Sequence, residues 1–274
     1  MADLWIILLP LWATGLVSGF MAGLLGVGGG LVIVPIVASL LMWTGINTVT
    51  PMHMAIATSL AVIVPTSILS AYSHMKLGNV DFAVVKRLAP FVFMGALGGG
   101  LIVDHLDNAS LKVIFGALAI CLSLLFLYRV MVIREGLPAQ PLPAILGGAL
   151  GIVAALVGIG GGAILVPLLS SFGWQLKRAV GSAALMGLFV SLPGMLGFIF
   201  VGWDAPALPS GSLGYVYLPA ALIVASSAFF TAPIGARMAS RIDKNKLRRI
   251  FAVFLMIVGS RLIYDGLISL GYFI

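Results

Sequence analysis

Ten stretches of the chain are apolar on every helical face, each bounded by polar or turn-forming residues. They run over about 4–26, 31–43, 52–73, 83–103 and 111–133, then 143–159, 163–173, 179–201, 214–236 and 249–269. A helix needs roughly 20 residues to cross the hydrocarbon core of a bilayer, and most of these stretches approach or reach that length. The second and seventh do not, and they read as half-helices or as one arm of a re-entrant hairpin. Helix is the expected conformation because backbone in lipid must satisfy its own hydrogen bonds. Barrel strands would alternate polar and apolar positions, and no such alternation is present. The pattern predicts an all-α polytopic membrane protein.

Composition narrows the class further. Charged residues make up 8% of the 274 positions, where a soluble domain carries about 25%. The hydrophobic fraction is 61% and the mean hydropathy is +1.20. Between Asp3 and Lys76 lie 72 consecutive positions without Asp, Glu, Lys or Arg. Soluble enzymes, disordered chains and disulfide-stapled secreted domains are excluded. The single cysteine, Cys121, has no internal partner. A net charge of +7 raises the question of nucleic acid, but the basic residues sit in short runs between apolar segments rather than on one solvated face. The positive-inside rule accounts for them better.

Placing Lys76, Lys86, Arg87, Arg129, Arg134, Lys177, Arg178 and the run from Arg237 to Arg249 in the cytoplasm lets the spans alternate without conflict. That puts 13 of the 15 Lys and Arg inside, Lys112 and Arg261 being the exceptions. Both termini then face outside the cytoplasmic membrane, as does the loop 202–214. No Lys or Arg precedes the first apolar run, so it lacks the n-region of a cleaved signal peptide and is expected to stay as a span.

Residues 19–35 recur 132 positions later as 151–167, with nine of 17 positions identical. The identities include Gly26 and Gly158, the triplets Gly28, Gly29, Gly30 and Gly160, Gly161, Gly162, and Pro35 and Pro167. Further on, 55–59 aligns with 179–183 at an offset of 124, and 111–115 with 247–251 at 136. The chain therefore divides into two repeats, 1–135 and 136–274, forming one integral membrane domain. The charge pattern makes the second copy inverted, because each half carries an odd number of crossings. Inverted repeats meeting near the midplane are an architecture of secondary transporters.

Three consecutive glycines weaken a continuous helix by about 1 kcal/mol each relative to Ala, so each duplicated triplet predicts a break with a new helix starting after it. A helix start presents unpaired N–H groups and a partial positive charge, which suits an anion. The candidate substrate-binding residues are Gly28, Gly29, Gly30, Gly160, Gly161 and Gly162, with the hydroxyls of Thr58, Ser59 and Ser182. A lone Ser or Thr in a helix can instead bond the carbonyl of the preceding turn. The third triplet, Gly98 to Gly100, has no counterpart in the second half and reads as helix packing. His53 aligns with Lys177, beside Arg178, which makes His53 and Arg178 candidates for gating or coupling; an interfacial role is the plainer alternative. Arg261 and Asp265 are placed to pair on one helix face. No metal-ligand spacing, catalytic pair or cofactor motif is visible; neither enzyme chemistry nor a cofactor is expected. The run 26–30 is not a dinucleotide fingerprint, since no strand precedes it.

The doubled Gly-x-Gly-Gly-Gly-x-x-x-Val-Pro element, at 26–35 and 158–167, strongly resembles the sulfite exporter TauE/SafE family of membrane permeases. The stretch 178–182, Arg-Ala-Val-Gly-Ser, is similar to that family's Arg-Ala-(Val/Ile)-Gly-Thr-Ser segment. The first half departs from it, with His-Met-Ala-Ile-Ala-Thr-Ser at 53–59. The resemblance implies transport of a small sulfur-containing anion such as sulfite, thiosulfate, a sulfonate or sulfoacetate, by export or by uptake. The expected partners are that anion and the lipid bilayer, with no nucleic acid and a homodimer left open. A channel or a membrane scaffold would be the alternatives. A channel should show a continuous polar lining, and a scaffold a soluble docking region; the sequence offers neither.

Overall fold

A computed structural model describes residues 2–25, 28–46, 49–127, 135–137, 139–238 and 244–271. Gly26, Arg129, Arg134 and Arg241 lie outside the described residues. Ten helices follow the ten apolar stretches: α1 (Ala2–Leu25), α2 (Gly30–Trp43), α3 (Pro51–Lys76), α4 (Phe82–Ile102), α5 (Asn108–Leu127), α6 (Leu142–Val157), α7 (Gly162–Ser171), α8 (Leu176–Val201), α9 (Leu218–Met238) and α10 (Lys244–Ser269). Among the described residues, seven helices are long and apolar enough to cross a membrane, and α2, α6 and α7 are shorter. With 14 and 10 residues, α2 and α7 are about 21 and 15 Å long at 1.5 Å per residue, against about 30 Å of hydrocarbon. They are half-helices.

One expectation is corrected. Residues 214–217 do not begin a span but form a small hairpin, β1 (Ser212–Leu213) against β2 (Val216–Tyr217). Gly214, at φ 53°, occupies the first position of its two-residue turn, where a left-handed φ is needed.

The helices α3 and α8 form the centre, and most of α3 is buried. They cross antiparallel, with Leu60 beside Gly194, Ser67 beside Gly187 and Asn79 beside Gly181. The face holding the end of α3 and the start of α8 carries Lys76, Lys86, Lys177 and Arg178, and is called the basic face here. The opposite face carries the hairpin. At the basic face, Asp81 caps α4 by accepting from the N–H groups of Ala83 and Val84 at 3.1 and 3.2 Å. In the second half of α10, Arg261 and Asp265 pair at 3.8 Å across one turn.

The repeat is visible in the contacts. Gly15 and Gly19 of α1 abut Val224 and Ala228 of α9, and their counterparts Gly147 and Gly151 of α6 abut Leu88 and Val92 of α4. Ser123 donates to the Ala252 carbonyl at 2.7 Å, while the related pair Gly116 and Gly259 touch directly between α5 and α10. Each central helix runs antiparallel to its own counterpart, which is the relation of an inverted repeat.

Candidate functional site

The two glycine triplets meet in the middle of the fold. Gly29 and Gly161 precede α2 and α7 with φ of 75° and 71°, and neither helix start has a side-chain cap. A Cβ on Gly28, itself at φ 81°, would lie 3.2 Å from the Cα and N of Gly160. The Gly29 position abuts Ser18, about two-thirds of the way along α1, so α2 starts inside the fold and turns back toward the hairpin face. In the second repeat α7 starts at the same depth and returns to the basic face. Two helix N-termini, with their orphan amides and partial positive charge, therefore converge on one point.

Beside this contact is a narrow crevice of about 10 Å³ lined by Ala22, Gly28, Thr66, Ser67, Ser70, Gly160, Ala183, Ala184 and Gly187. That is room for about one water molecule. Its α3 residues lie beyond Ile63 toward Lys76 and its α8 residues lie toward Leu176, so it occupies the basic-face side of the glycine contact. The lining holds no carboxylate and no basic side chain. Thr66 donates to the carbonyls of Val62 and Ile63, whereas the buried Ser70 hydroxyl has no partner. Ser191, on the far side of the contact, is fully buried and its hydroxyl is also unpartnered. Leaving a buried hydroxyl unsatisfied costs roughly 1–3 kcal/mol, so these two positions carry a standing expense.

Of the residues singled out from sequence, Gly28, Gly29, Gly30, Gly160, Gly161 and Gly162 are brought together, and Gly30 touches the Gly158 carbonyl. Ser59 donates to that same carbonyl at 2.8 Å and fastens the second break from the first repeat. Thr58 and Ser182 line neither break. Thr58 Oγ1 accepts the Tyr217 N–H at 3.0 Å, and Ser182 Oγ accepts the Asp81 N–H at 2.9 Å. Each is a hydroxyl of one repeat holding the residue just before a helix of the other, and the two bonds are counterparts. The Asp81 carboxylate also accepts from Trp174 Nε1 at 3.0 Å. That bond, the α4 cap and the nearby Arg178 hold its pKa below the usual carboxylate value. Arg178 itself is exposed on the basic face, as is Lys177.

His53 sits far from the glycines, in the first turn of α3 at the hairpin face. It is buried, donates from Nε2 to the Leu106 carbonyl at 2.9 Å and lies 5.1 Å from the Tyr215 ring. Tyr215 donates to Asp104 at 3.3 Å, and burial followed by that carboxylate raises its pKa. His53, Tyr215 and Thr58 together clasp the hairpin onto α3. Ser67, Ser70 and Gly187 were not picked out from sequence. Extending the 124-residue offset by eight positions pairs Ser67 with Ser191 and marks Ser67, whereas Ser70 and Gly187 fall opposite Gly194 and Ile63 and carry no such signal. Among the described residues no cluster of side chains is suited to a metal ion.

A family model for sulfite exporter TauE/SafE matches residues 11–262. The chain is 39% identical over 248 residues to a "Probable membrane transporter protein" of Haemophilus influenzae, covering 89% of this chain and 93% of that one. It is 28% identical to proteins of the same description from Methanocaldococcus jannaschii and Bacillus subtilis, over 93% of this chain in each case and 95% and 97% of theirs. No solved structure is a significant match. With the doubled glycine element at its centre and the family match spanning nearly its whole length, the chain belongs to the sulfite exporter TauE/SafE family.

Proposed function

We propose that the protein is a secondary transporter that moves a small sulfur-containing anion across the cytoplasmic membrane by alternating access. The observation that carries this reading is the meeting of two uncapped helix starts, related by the repeat, at a crevice lined by hydroxyls and glycine backbone without a carboxylate. Such a site favours negative charge, and close approach of glycine backbone leaves amides accessible to an oxyanion. The family's description, sulfite exporter, supports a sulfur anion as the substrate of this reading, and the relatives' descriptions support transport. The distribution of Lys and Arg supports a cytoplasmic basic face, with both termini outside.

Moving one charge is worth about 2.3 kcal/mol per 100 mV. An anion leaving a negative-inside cell runs downhill electrically, so export can proceed as uniport. Concentrative uptake requires a co-transported cation. The test is flux into proteoliposomes of sulfite, thiosulfate, a sulfonate and sulfoacetate, each with and without a pH gradient and a membrane potential. Saturable flux of one sulfur anion, inhibited by its relatives, is the expected result. Correctly inserted protein that passes none of them, or that passes small cations instead, overturns the reading.

A further inference from the structure

The crevice described above has a counterpart that is shut. Under the 124-residue offset that relates Thr58 to Ser182, the crevice residues Ser67, Gly187 and Ala184 correspond to Ser191, Ile63 and Leu60. These counterparts lie on the hairpin-face side of the Gly28–Gly160 contact. Where the crevice has only the hydrogen of Gly187 and the methyl of Ala184, its counterpart has the full side chains of Ile63 and Leu60. Both are completely buried. Ile63 Cγ2 lies 2.9 Å from the position a Cβ on Gly160 would take, and Leu60 Cδ1 lies 3.2 Å from the corresponding position on Gly194. Behind them Ser191 is 0% exposed, and its Oγ has no hydrogen-bond partner. A hydroxyl retained without a partner in an apolar interior calls for a ligand or a second conformation in which it is satisfied.

We propose that Ile63 and Leu60 form the gate on the hairpin face and that Ser191 is the anion-binding hydroxyl behind it. Ser67 is its equivalent on the basic face. The structure is then the conformer closed on the hairpin face, with its crevice on the basic-face side. Exchange withdraws Ile63 and Leu60, opens the counterpart crevice and presents Ser191 to the same oxyanion at the shared glycine contact. This inference rests on the transport reading for its ligand, but the gate can be tested apart from it. The two repeats have unequal plugs, two branched side chains against a glycine and an alanine, so the conformer with its crevice on the basic-face side is the resting one.

The experiment is sided labelling of the full-length protein. Cys121 is exposed, so a Cys121→Ser background is used, with Ser67→Cys or Ser191→Cys probed by a membrane-impermeant methanethiosulfonate in sealed vesicles of each orientation. Ser67→Cys should react from the basic face and Ser191→Cys from neither. Adding Ile63→Gly should raise the Ser191→Cys rate from the hairpin face by about tenfold or more, as expected for a shift toward the other conformer, and should lower the Ser67→Cys rate. Leu60→Ala provides a second, milder gate variant, and monodisperse elution in detergent certifies the fold of each. Reaction of Ser191→Cys from the basic face overturns the proposal, as does its silence from the hairpin face in both folded gate variants. Labelling that exchanges in a protein that moves no sulfur anion would remove the substrate reading and leave the gate. Sulfur-anion flux with Ser191→Cys inert in both gate variants would remove the gate and leave the substrate reading.

Discussion

Replacing Gly28 by alanine tests whether the glycine contact is a site or only a tight crossing. At φ 81° an alanine pays about 1–2 kcal/mol for the left-handed conformation. Its methyl group would meet the Cα and N of Gly160 at 3.2 Å, and backbone yields less readily than a side chain. Overpacking of that kind costs typically about 1–3 kcal/mol, so the two effects together destabilise by about 2–5 kcal/mol. That leaves a chain with stability in the common range of about 5–15 kcal/mol still folded. The methyl would also force apart the Gly28–Gly160 contact that borders the crevice, so flux should vanish while insertion persists. Gly98→Ala is the control. Its Cβ would meet nothing within 4 Å, and a helical Gly-to-Ala change is worth about 1 kcal/mol in the stabilising direction. Thermal unfolding in one detergent and proteoliposome flux read both quantities. Gly28→Ala with wild-type flux and wild-type stability would refute the reasoning, because neither the backbone strain nor the crowded glycine contact would then matter.

Other expectations follow from the same contacts. In a Cys121→Ser background, a cysteine at Ser210 should react with an impermeant reagent from outside intact cells and one at Lys177 should not; the reverse labelling inverts the topology. Asp81→Ala should cost about 1 kcal/mol through loss of the α4 cap, and Asp81→Asn less, as read by thermal unfolding. Asp107 is likewise held below its usual pKa, by hydrogen bonds from Ser110. Both depressed carboxylates therefore stabilise the fold above pH 3.8 and lose that effect as pH falls through their lower folded values, so the Asp81→Asn/Asp107→Asn pair should flatten the acid limb of stability against pH. Tyr215→Phe should cost about 1 kcal/mol by removing the bond to Asp104. Because the Tyr215 pKa is raised, its stabilising effect is present below pH 10 and is lost as pH climbs through the higher folded value; an alkaline limb unchanged in Tyr215→Phe would count against this.

The helices were legible because an apolar run in lipid has one way to satisfy its backbone, and run length alone separated the half-helices α2 and α7 from the spans. The glycine breaks were legible because the triplets recur. The hairpin at 212–217 was not, since two-residue strands carry no periodicity and their apolar residues merge into the next span. Thr58 and Ser182 are a related pair in the repeat, and as rare hydroxyls just inside the third and eighth segments they suggest an oxyanion ligand; in the fold each accepts a loop N–H. Ser67 and Ser70 were missed for the opposite reason. A hydroxyl inside an apolar run looks like Thr66, which does bond its own helix; the cross-repeat alignment distinguishes Ser67 alone, since Ser70 falls opposite Gly194.

The counterpart bonds from Asp81 to Ser182 and from Tyr217 to Thr58 have a consequence for biogenesis. Each socket belongs to one half of the gene and each plug to the other, and α1 likewise packs on α9 as α6 packs on α4. During synthesis the amino-terminal half emerges with its Thr58 socket empty and the α9-facing side of α1 uncovered. Its assembly must wait for the carboxy-terminal half to insert. The ancestral single unit, before duplication, would have needed a second copy in the opposite orientation to fill the same sockets. Chains cut in the 135–142 connection and produced as two fragments should therefore be stable only when made together.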